Sequence, residues 1–582
     1  MKRSTTLNQL NRISEKGSHR KLLDINNEYT SSSGEEDMAV SDTEDKEVTV
    51  ISDDKATIEV IEEISDAARR TSISLPSVIN HITRVEKTRL NHKKSETRPN
   101  KYISKFTDYK FKSNSTTIFD AEYFVKGEFF GFYVLFWLAT FFFMFNNIVH
   151  TIFDDDTPIT QWPVVKVLMK DVVKVGLVDL FMYFSTYFAF AVQYCCLHYG
   201  LSWRRFGWLI QGTYDGIFIF FWLYVASEKV MAFPWIAREF LVLHSLVFVM
   251  KMHSYGFYNG YLWSIYKEAL FAEHYLEKIS NNVKLPPGYE KEETVKLLVE
   301  SQSFCKYELI YQTHATTKGQ EEIDPTTLEN SILNLQKQNL IRFPNNITLK
   351  DYFNYSMFPT VIYTLDFPRI PKIRWLFAIE KICAIFGIIF LMVYVAHVGM
   401  YPLILKAEIA RTLPLSQRFP QFLSILFDMI LPFLFLYLFT FYLIWDSILN
   451  AIAELTRFGD REFYGPWWNC SDWSEFARLW NIPVHKFLLR HVYHSSISSF
   501  KLNKYSATLF TFILSSLIHE LVMYVIFGNL RGYLLFFQMS QLPMQLIAQL
   551  KFFKSRRLLG NILCWVGFIS GPSIICTLYL VF

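Results

Sequence analysis

Cysteine is scarce in this chain and follows no pattern. The seven cysteines in 582 residues (Cys195, Cys196, Cys305, Cys383, Cys470, Cys564 and Cys576) include no CxxC pair, and most lie in or beside apolar runs. That argues against a disulfide framework or a zinc site. An excess of one charge is also missing: 58 Lys and Arg against 54 Asp and Glu leave a formal +4. The difference is too small to mark a nucleic-acid binder, and no nucleic-acid signature is present. Several catalytic strings are absent as well. There is no G-x-S-x-G nucleophile elbow and no Walker-type phosphate loop, and position 523, where H-E-x-x-H would need its second histidine, holds Met523. More than a hundred N-terminal residues pass without the apolar core of a signal peptide, so the first span is expected to act as its own insertion signal.

Apolar residues are what the chain has in plenty. Hydrophobic residues make up 51% and aromatic residues 17%, with 55 Phe and a mean hydropathy of +0.16. Such a composition belongs to an integral membrane protein. Windows long enough to cross a ~30 Å hydrocarbon core fall near 129–149, 175–197, 206–227, 236–257, 376–400, 421–446, 506–527, 530–549 and 560–581. The expected fold class is therefore all-α, a polytopic transmembrane helical bundle of about nine spans over residues 121–582. Two further segments, around 351–365 and 484–500, are too short or too polar to cross alone and are expected to be interfacial or re-entrant pieces buried by protein. Residues 1–120 are rich in Ser, Asp, Glu, Lys and Arg, with acidic patches at Glu35-Glu36-Asp37 and Asp42-Thr43-Glu44-Asp45. They read as a disordered, cytosolic regulatory tail. In it Arg69-Arg70-Thr71-Ser72 has the shape of a basophilic kinase site, a string that also arises by chance in tails of this composition.

Basic residues near the span ends set the orientation. With the tail in the cytosol, Arg204-Arg205, the 258–375 and 447–505 segments, and Lys551, Lys554, Arg556 and Arg557 share the cytosolic side. Asp154-Asp155-Asp156 and the connections 228–235, 401–420 and 528–531 lie opposite. The sequons at Asn346, Asn354 and Asn469 are then never glycosylated.

One histidine falls inside an otherwise apolar run, Thr508 to Phe527: His519, followed by Glu520. A histidine in a helix can be a satisfied core residue, but an ionisable pair at membrane depth points to a functional site. An imidazole kept from water favours its neutral form, which can accept a proton. Ser515 and Ser516 precede it by four and three residues, on nearly the same helical face. With no activated nucleophile in view, His519 reads as a general base acting directly on a substrate hydroxyl. Upstream lies an aromatic-rich polar segment with Trp467, Trp468, Trp473 and Trp480. Interleaved Asn469, Asn481, Arg478, His485, Lys486, Arg490, His491, Tyr493 and His494 offer donors for a phosphate-bearing ligand, although belt tryptophans also gather where water meets lipid.

Phe463-Tyr464-Gly465-Pro466-Trp467-Trp468-Asn469 resembles the FYxDWWN signature of the sterol O-acyltransferases, within the membrane-bound O-acyltransferase (MBOAT) superfamily. Trp480-Asn481 and His519-Glu520 resemble that family's catalytic asparagine and histidine. His253-Ser-Tyr-Gly-Phe-Tyr-Asn-Gly260, Phe343-Pro-Asn-Asn346 and the run Trp445 to Arg457 are similar to the fungal members. The resemblance covers about residue 125 to the end. Pro466 departs from it, since the family has an acidic residue there; Asp472 lies close enough to substitute in part.

The resemblance implies an MBOAT fold and transfer of a long-chain acyl group from acyl-CoA to a sterol 3β-hydroxyl, forming sterol esters for storage in the endoplasmic reticulum membrane. His519 would be the base and Asn481 its partner, while Arg478, Tyr493, Lys504 and Ser515 would line the acyl-CoA path. Lys504 could equally be a snorkelling anchor. No cofactor and no metal is implied, acyl-CoA being a co-substrate. The partners are acyl-CoA, sterol, membrane lipids and further copies of the chain in a dimer or tetramer. A diacylglycerol O-acyltransferase, a transporter with a proton relay, and a sterol-binding relative of weakened activity stay open as alternatives.

Overall fold

An apolar run that must bury its backbone away from water satisfies its own hydrogen bonds, and a helix does so within one segment. The computed structural model describes residues 111, 115–127, 130–153, 158–227, 229–281, 290–314 and 343–582. Among the described residues the secondary structure is helical, apart from one isolated antiparallel bridge between Arg369 and Phe458. Most of the expected tail, Ser72 included, and Asp154-Asp155-Asp156 lie outside the described residues.

The helices that matter below are α1 (Phe130–Phe153), α2 (Val172–Ser185), α3 (Tyr187–His198), α4 (Trp208–Ala226), α5 (Trp235–Ser280), α6 (Lys291–His314), α7 (Leu349–Met357), α8 (Trp375–Val395), α9 (Tyr401–Thr412), α10 (Leu415–Phe441), α11 (Leu449–Leu455), α12 (Trp473–Leu479), α13 (Ile482–Phe487), α14 (His494–Phe500), α15 (Lys504–Phe527), α16 (Tyr533–Met539), α17 (Gln541–Ala548) and α18 (Arg557–Val581). Among the described residues seven stretches are long and apolar enough to cross a membrane: Phe130–Thr151, Pro163–His198, Trp203–Ala226, Trp375–Thr412, Leu415–Leu455, Lys504–Phe527 and Arg557–Val581.

Two of the nine expected windows behave differently. The 530–549 window breaks at Ser540 into the short α16 and α17. The 236–257 window opens α5, which is helical but carries Arg238, Glu239, His244 and Lys251. The polarity is affordable because α5 is wrapped by protein: it packs against α2, α3, α4, α6 and α15, and Met252, Ser254, Tyr255, Asn259 and Leu262 are all fully buried. Phe240 and Leu243 stay exposed on its first half, but where the helix is buried it need not be uniformly apolar if its polar groups are paired. The expected connection 401–420 is itself helical, α8 running through a π-turn at Ala396–Met400 into α9.

The polar motifs do that pairing. Lys251 Nζ donates to the carbonyls of Tyr355, Ser356 and Phe358 at 3.2, 3.1 and 2.6 Å, closing the C-terminal end of α7. Its N–H donors answer the carbonyls left open at that helix end. Asn346 Nδ2 donates to Asn259 Oδ1 and to the Tyr363 hydroxyl, each at 2.9 Å, and Tyr363 N–H donates to Ser254 Oγ at 2.8 Å. The Phe343–Asn346 and His253–Gly260 strings are thus two halves of one contact. The 351–365 segment is buried by protein, as its polarity required.

A second ladder fastens the segment after α11. Asp446, Asn450 and Glu454 recur at i, i+4 and i+8, so one face carries all three. Asp446 takes Lys381 Nζ at 2.8 Å and the Tyr464 hydroxyl at 2.7 Å. Glu454 takes Arg461 Nη2 at 2.7 Å and Arg374 Nη2 at 2.8 Å. Thr117 donates to Asp446 at 3.0 Å and Asp120 takes Lys381 at 2.9 Å, so the chain before α1 is tied into the same network.

Candidate active site

Asn503 caps the start of α15, its Oδ1 accepting Ser506 N–H at 2.8 Å, and Gly528 ends the helix in the left-handed region. Lys504, Thr508, Thr511, Ser515 and His519 fall at i, i+4, i+7, i+11 and i+15 along it. At 3.6 residues per turn they form one polar stripe, about 22 Å long at 1.5 Å per residue. The buried positions of α15 are Ala507, Ser516 and Glu520, which lie to either side of that stripe.

His519 stands on the stripe, and its side chain is exposed rather than withdrawn into the bundle as the apolar run suggested. The reason is angular: the residue after it, 100° further round the helix, is the one that faces protein. Nδ1 of His519 lies 2.7 Å from the carbonyl oxygen of Ser515. A carbonyl only accepts, so Nδ1 carries the hydrogen in the neutral ring and Nε2 keeps its lone pair. Glu520 takes no part in that arrangement. Its carboxylate accepts Gly532 N–H at 2.6 Å, Leu535 N–H at 3.1 Å and the Tyr579 hydroxyl at 2.5 Å, tying α15 to the start of α16 and to α18.

Asn481 caps α13, its Oδ1 accepting Val484 N–H at 3.3 Å. Its amide nitrogen has no partner among the described residues, and no hydrogen bond joins it to His519 there. Asn481 is held by the aromatic segment before it. Tyr437 stacks on Trp480 at 4.9 Å, and Trp467 meets Trp480 edge-on at 4.8 Å. Gly465 N–H donates to the Leu479 carbonyl at 2.8 Å, and Ile482 N–H to that of Phe463 at 3.1 Å.

The signature residues divide by depth. Phe463, Tyr464 and Trp467 are buried, Trp468 is half-buried, and Asn469 and Pro466 are exposed. They act as a fastener. The Trp468 carbonyl accepts Asn561 Nδ2 at 3.0 Å and Trp565 Nε1 at 3.1 Å, and Cys470's accepts Asn561 Nδ2 at 2.9 Å. All come from α18, where a Cβ at Gly560 would stand 2.3 Å from the Ser471 carbonyl oxygen. Pro466 leaves no donor wanting at its exposed turn, its φ of −73° being ordinary for proline. Asp472 caps α12, its Oδ1 accepting Glu475 N–H at 2.8 Å.

Of the residues matched to the acyl-CoA path, Ser515 and Lys504 share the α15 stripe. Arg478 is exposed on α12 with Nη1 donating to Ser474 Oγ at 3.1 Å, and Tyr493 is half-buried in the π-turn Leu488–Tyr493 between α13 and α14. His491, one of the expected donors, faces α5. It sits 2.9 Å from Ser254 Oγ and 5.3 Å, ring to ring, from His253. Burial, with His253 and Arg490 alongside, holds it well below the usual imidazole range, so it is neutral.

Lys381, which pairs with Asp446, and Asp215, whose Oδ2 lies 3.3 Å from His253 Nδ1, belong to no string singled out in the sequence, and Asp446 and His253 stood out only within strings similar to the fungal members. The signal was present: each is an ionisable residue in an apolar run, the criterion that singled out His519.

The chain is similar to known proteins along most of its length. A family profile described as "MBOAT, membrane-bound O-acyltransferase family" matches residues 160–581. Sterol O-acyltransferase 2 of Candida albicans is 55% identical over 609 residues, covering 100% of each chain. Sterol O-acyltransferase 2 of Saccharomyces cerevisiae is 44% identical over 79% of this chain and 67% of its own, and Sterol O-acyltransferase 1 of the same yeast 41% over 72% and 64%. With the profile spanning most of the helical bundle, the chain belongs to the membrane-bound O-acyltransferase family.

Proposed function

We propose that this chain transfers an acyl group from acyl-CoA to the 3β-hydroxyl of a sterol, with residues 121–582 as the catalytic domain. The observation that carries the chemistry is the His519 ring, whose Nδ1 is engaged by the Ser515 carbonyl and whose Nε2, on the polar stripe of α15, has no partner among the described residues. The choice of a sterol acceptor is supported by full-length similarity to proteins named sterol O-acyltransferases.

His519 Nε2 takes the proton of the sterol hydroxyl as its oxygen attacks the thioester carbonyl carbon. Negative charge grows on the carbonyl oxygen, where the Asn481 amide N–H is suited to receive it. Collapse re-forms the carbonyl and breaks the C–S bond. The imidazolium returns its proton to the departing thiolate, giving sterol ester and CoA, so the base is restored without a cofactor. Lys504 and Arg478 supply positive charge for the phosphates of CoA, the hydroxyl of Tyr493 supplies a contact along its arm, and that of Ser515 stands at the thioester end. The stripe from Lys504 to His519 gives that arm a polar track beside apolar surroundings. The tail is cytosolic in this reading, acyl-CoA enters from the same side, and the enzyme works as a homo-oligomer in the endoplasmic reticulum membrane.

Membranes containing the chain, given labelled acyl-CoA with either a sterol or diacylglycerol, test the proposal. Labelled sterol ester is expected. Labelled triacylglycerol without sterol ester would assign a different acceptor, and no acyl transfer to either would overturn the reading.

A further inference from the structure

Gln538 belongs to none of the motifs above. It sits on α16, whose start is pinned to α15 by Glu520 through Gly532 and Leu535 N–H. Gly528 and Gly532, at φ of 71° and 75°, let the chain reverse between the two helices. The result is an antiparallel register in which Gln538 comes opposite Ser515, and its Nε2 donates to Ser515 Oγ at 3.2 Å. Gln538 Oε1 is buried with no partner among the described residues.

Ser515 is then engaged at both of its acceptors. Its carbonyl takes His519 Nδ1–H and its Oγ takes Gln538 Nε2–H. Its hydroxyl hydrogen is used differently from those of its neighbours. Thr511 and Ser516 donate back to the carbonyls of Ala507 and Phe512, four residues earlier, each at 2.8 Å. That is the usual habit of a hydroxyl inside a helix. Ser515 makes no such bond among the described residues. A hydroxyl whose oxygen already accepts is also a stronger donor, because hydrogen bonds in a chain polarise one another.

We infer that Gln538 is a positioning residue for acyl transfer: by donating to Ser515 Oγ it keeps the serine hydroxyl hydrogen turned away from α16, as a donor for the thioester carbonyl oxygen beside His519. The inference rests on the reading that Ser515 and His519 line the reacting centre. Gln538 touches no substrate and acts through the serine. The serine's hydrogen bond strengthens as the oxygen gains negative charge, so its loss falls on kcat more than on binding.

Four variants of the full chain in membranes, with expression and acyl-CoA binding measured beside turnover, test it. Ser515→Ala and Gln538→Met are each expected to lower kcat about tenfold or more while leaving the acyl-CoA KM within about twofold, removal of one oxyanion donor costing roughly 10²–10³ at most. The double variant is expected to be no slower than Ser515→Ala, since Gln538 has no other route to the reaction. Gln538→Glu is the near-isosteric control: its carboxylate would accept the serine hydrogen and turn it inward, so it should be at least as slow as Gln538→Met. Losses that multiply in the double variant, or wild-type kcat in Gln538→Glu, overturn the inference and leave the site reading standing. Unchanged kcat in Ser515→Ala overturns both.

Discussion

His519 can give one nitrogen to chemistry because the Ser515 carbonyl takes the other. Asn481 carries two duties on one amide, its oxygen capping α13 and its nitrogen open to the reacting groups, and substitution can separate them. Aspartate is as good an N-cap as asparagine but has no N–H to donate, whereas alanine loses both and costs ~1 kcal/mol of helix stability. Asn481→Asp should therefore melt like the parent and make almost no sterol ester, while Asn481→Ala should be inactive and less stable. An active Asn481→Asp would remove the amide from the mechanism. At this scale the chain was partly legible from its letters. His519, Asn481 and Ser515 could be picked out, but the sense of the His519 hydrogen bond could not, nor could the parting of Glu520 from His519. Both depend on which way α15 is turned.

α15 and the aromatic segment before α13 are the elements that make the site. On α15 the stripe from Lys504 to His519 follows from spacing alone, and an exposed cation at its far end suits a phosphate contact shared by ground and transition states. Lys504→Ala should raise the acyl-CoA KM more than the sterol KM, read from initial rates with each substrate varied in turn. A change confined to the sterol KM would make Lys504 a membrane anchor instead. The aromatic segment works as a fastener between α18 and Asn481, which explains why its letters could be recognised while its role could not: burying Trp467 and bonding the Trp468 carbonyl to Asn561 are long-range events. Its departure from the family pattern falls at exposed Pro466, where a carboxylate would meet solvent. Pro466→Asp should leave turnover within about twofold and stability within ~0.5 kcal/mol, as for surface changes generally. A several-fold gain in turnover at equal expression would show that the missing carboxylate limits the enzyme.

Across the whole molecule, composition and apolar runs predicted an all-helical membrane bundle, and hydropathy windows located most of the spans. They read α5 as a simple crossing because a window average cannot tell a helix facing lipid from one wrapped by protein with Asn259 and Ser254 bonded inside. For the same reason the network of Lys381, Asp446 and Asp120 went unseen, although it ties the chain before α1 to α8 and to Tyr464. Breaking one partner of a buried ion pair strands the other, at ~3–5 kcal/mol. Lys381→Met should lower the melting temperature in detergent markedly, and an unchanged melting curve would contradict the network's structural role. Acyl transfer here depends above all on His519 Nε2 accepting the acceptor's proton, a contribution of roughly 10²–10⁴ in rate. The direct measurement is sterol-ester formation by His519→Ala at matched expression, with acyl-CoA binding followed in parallel. Ester formation is expected to disappear while the protein still inserts and binds acyl-CoA; substantial ester synthesis by that variant would rule out His519 as the base.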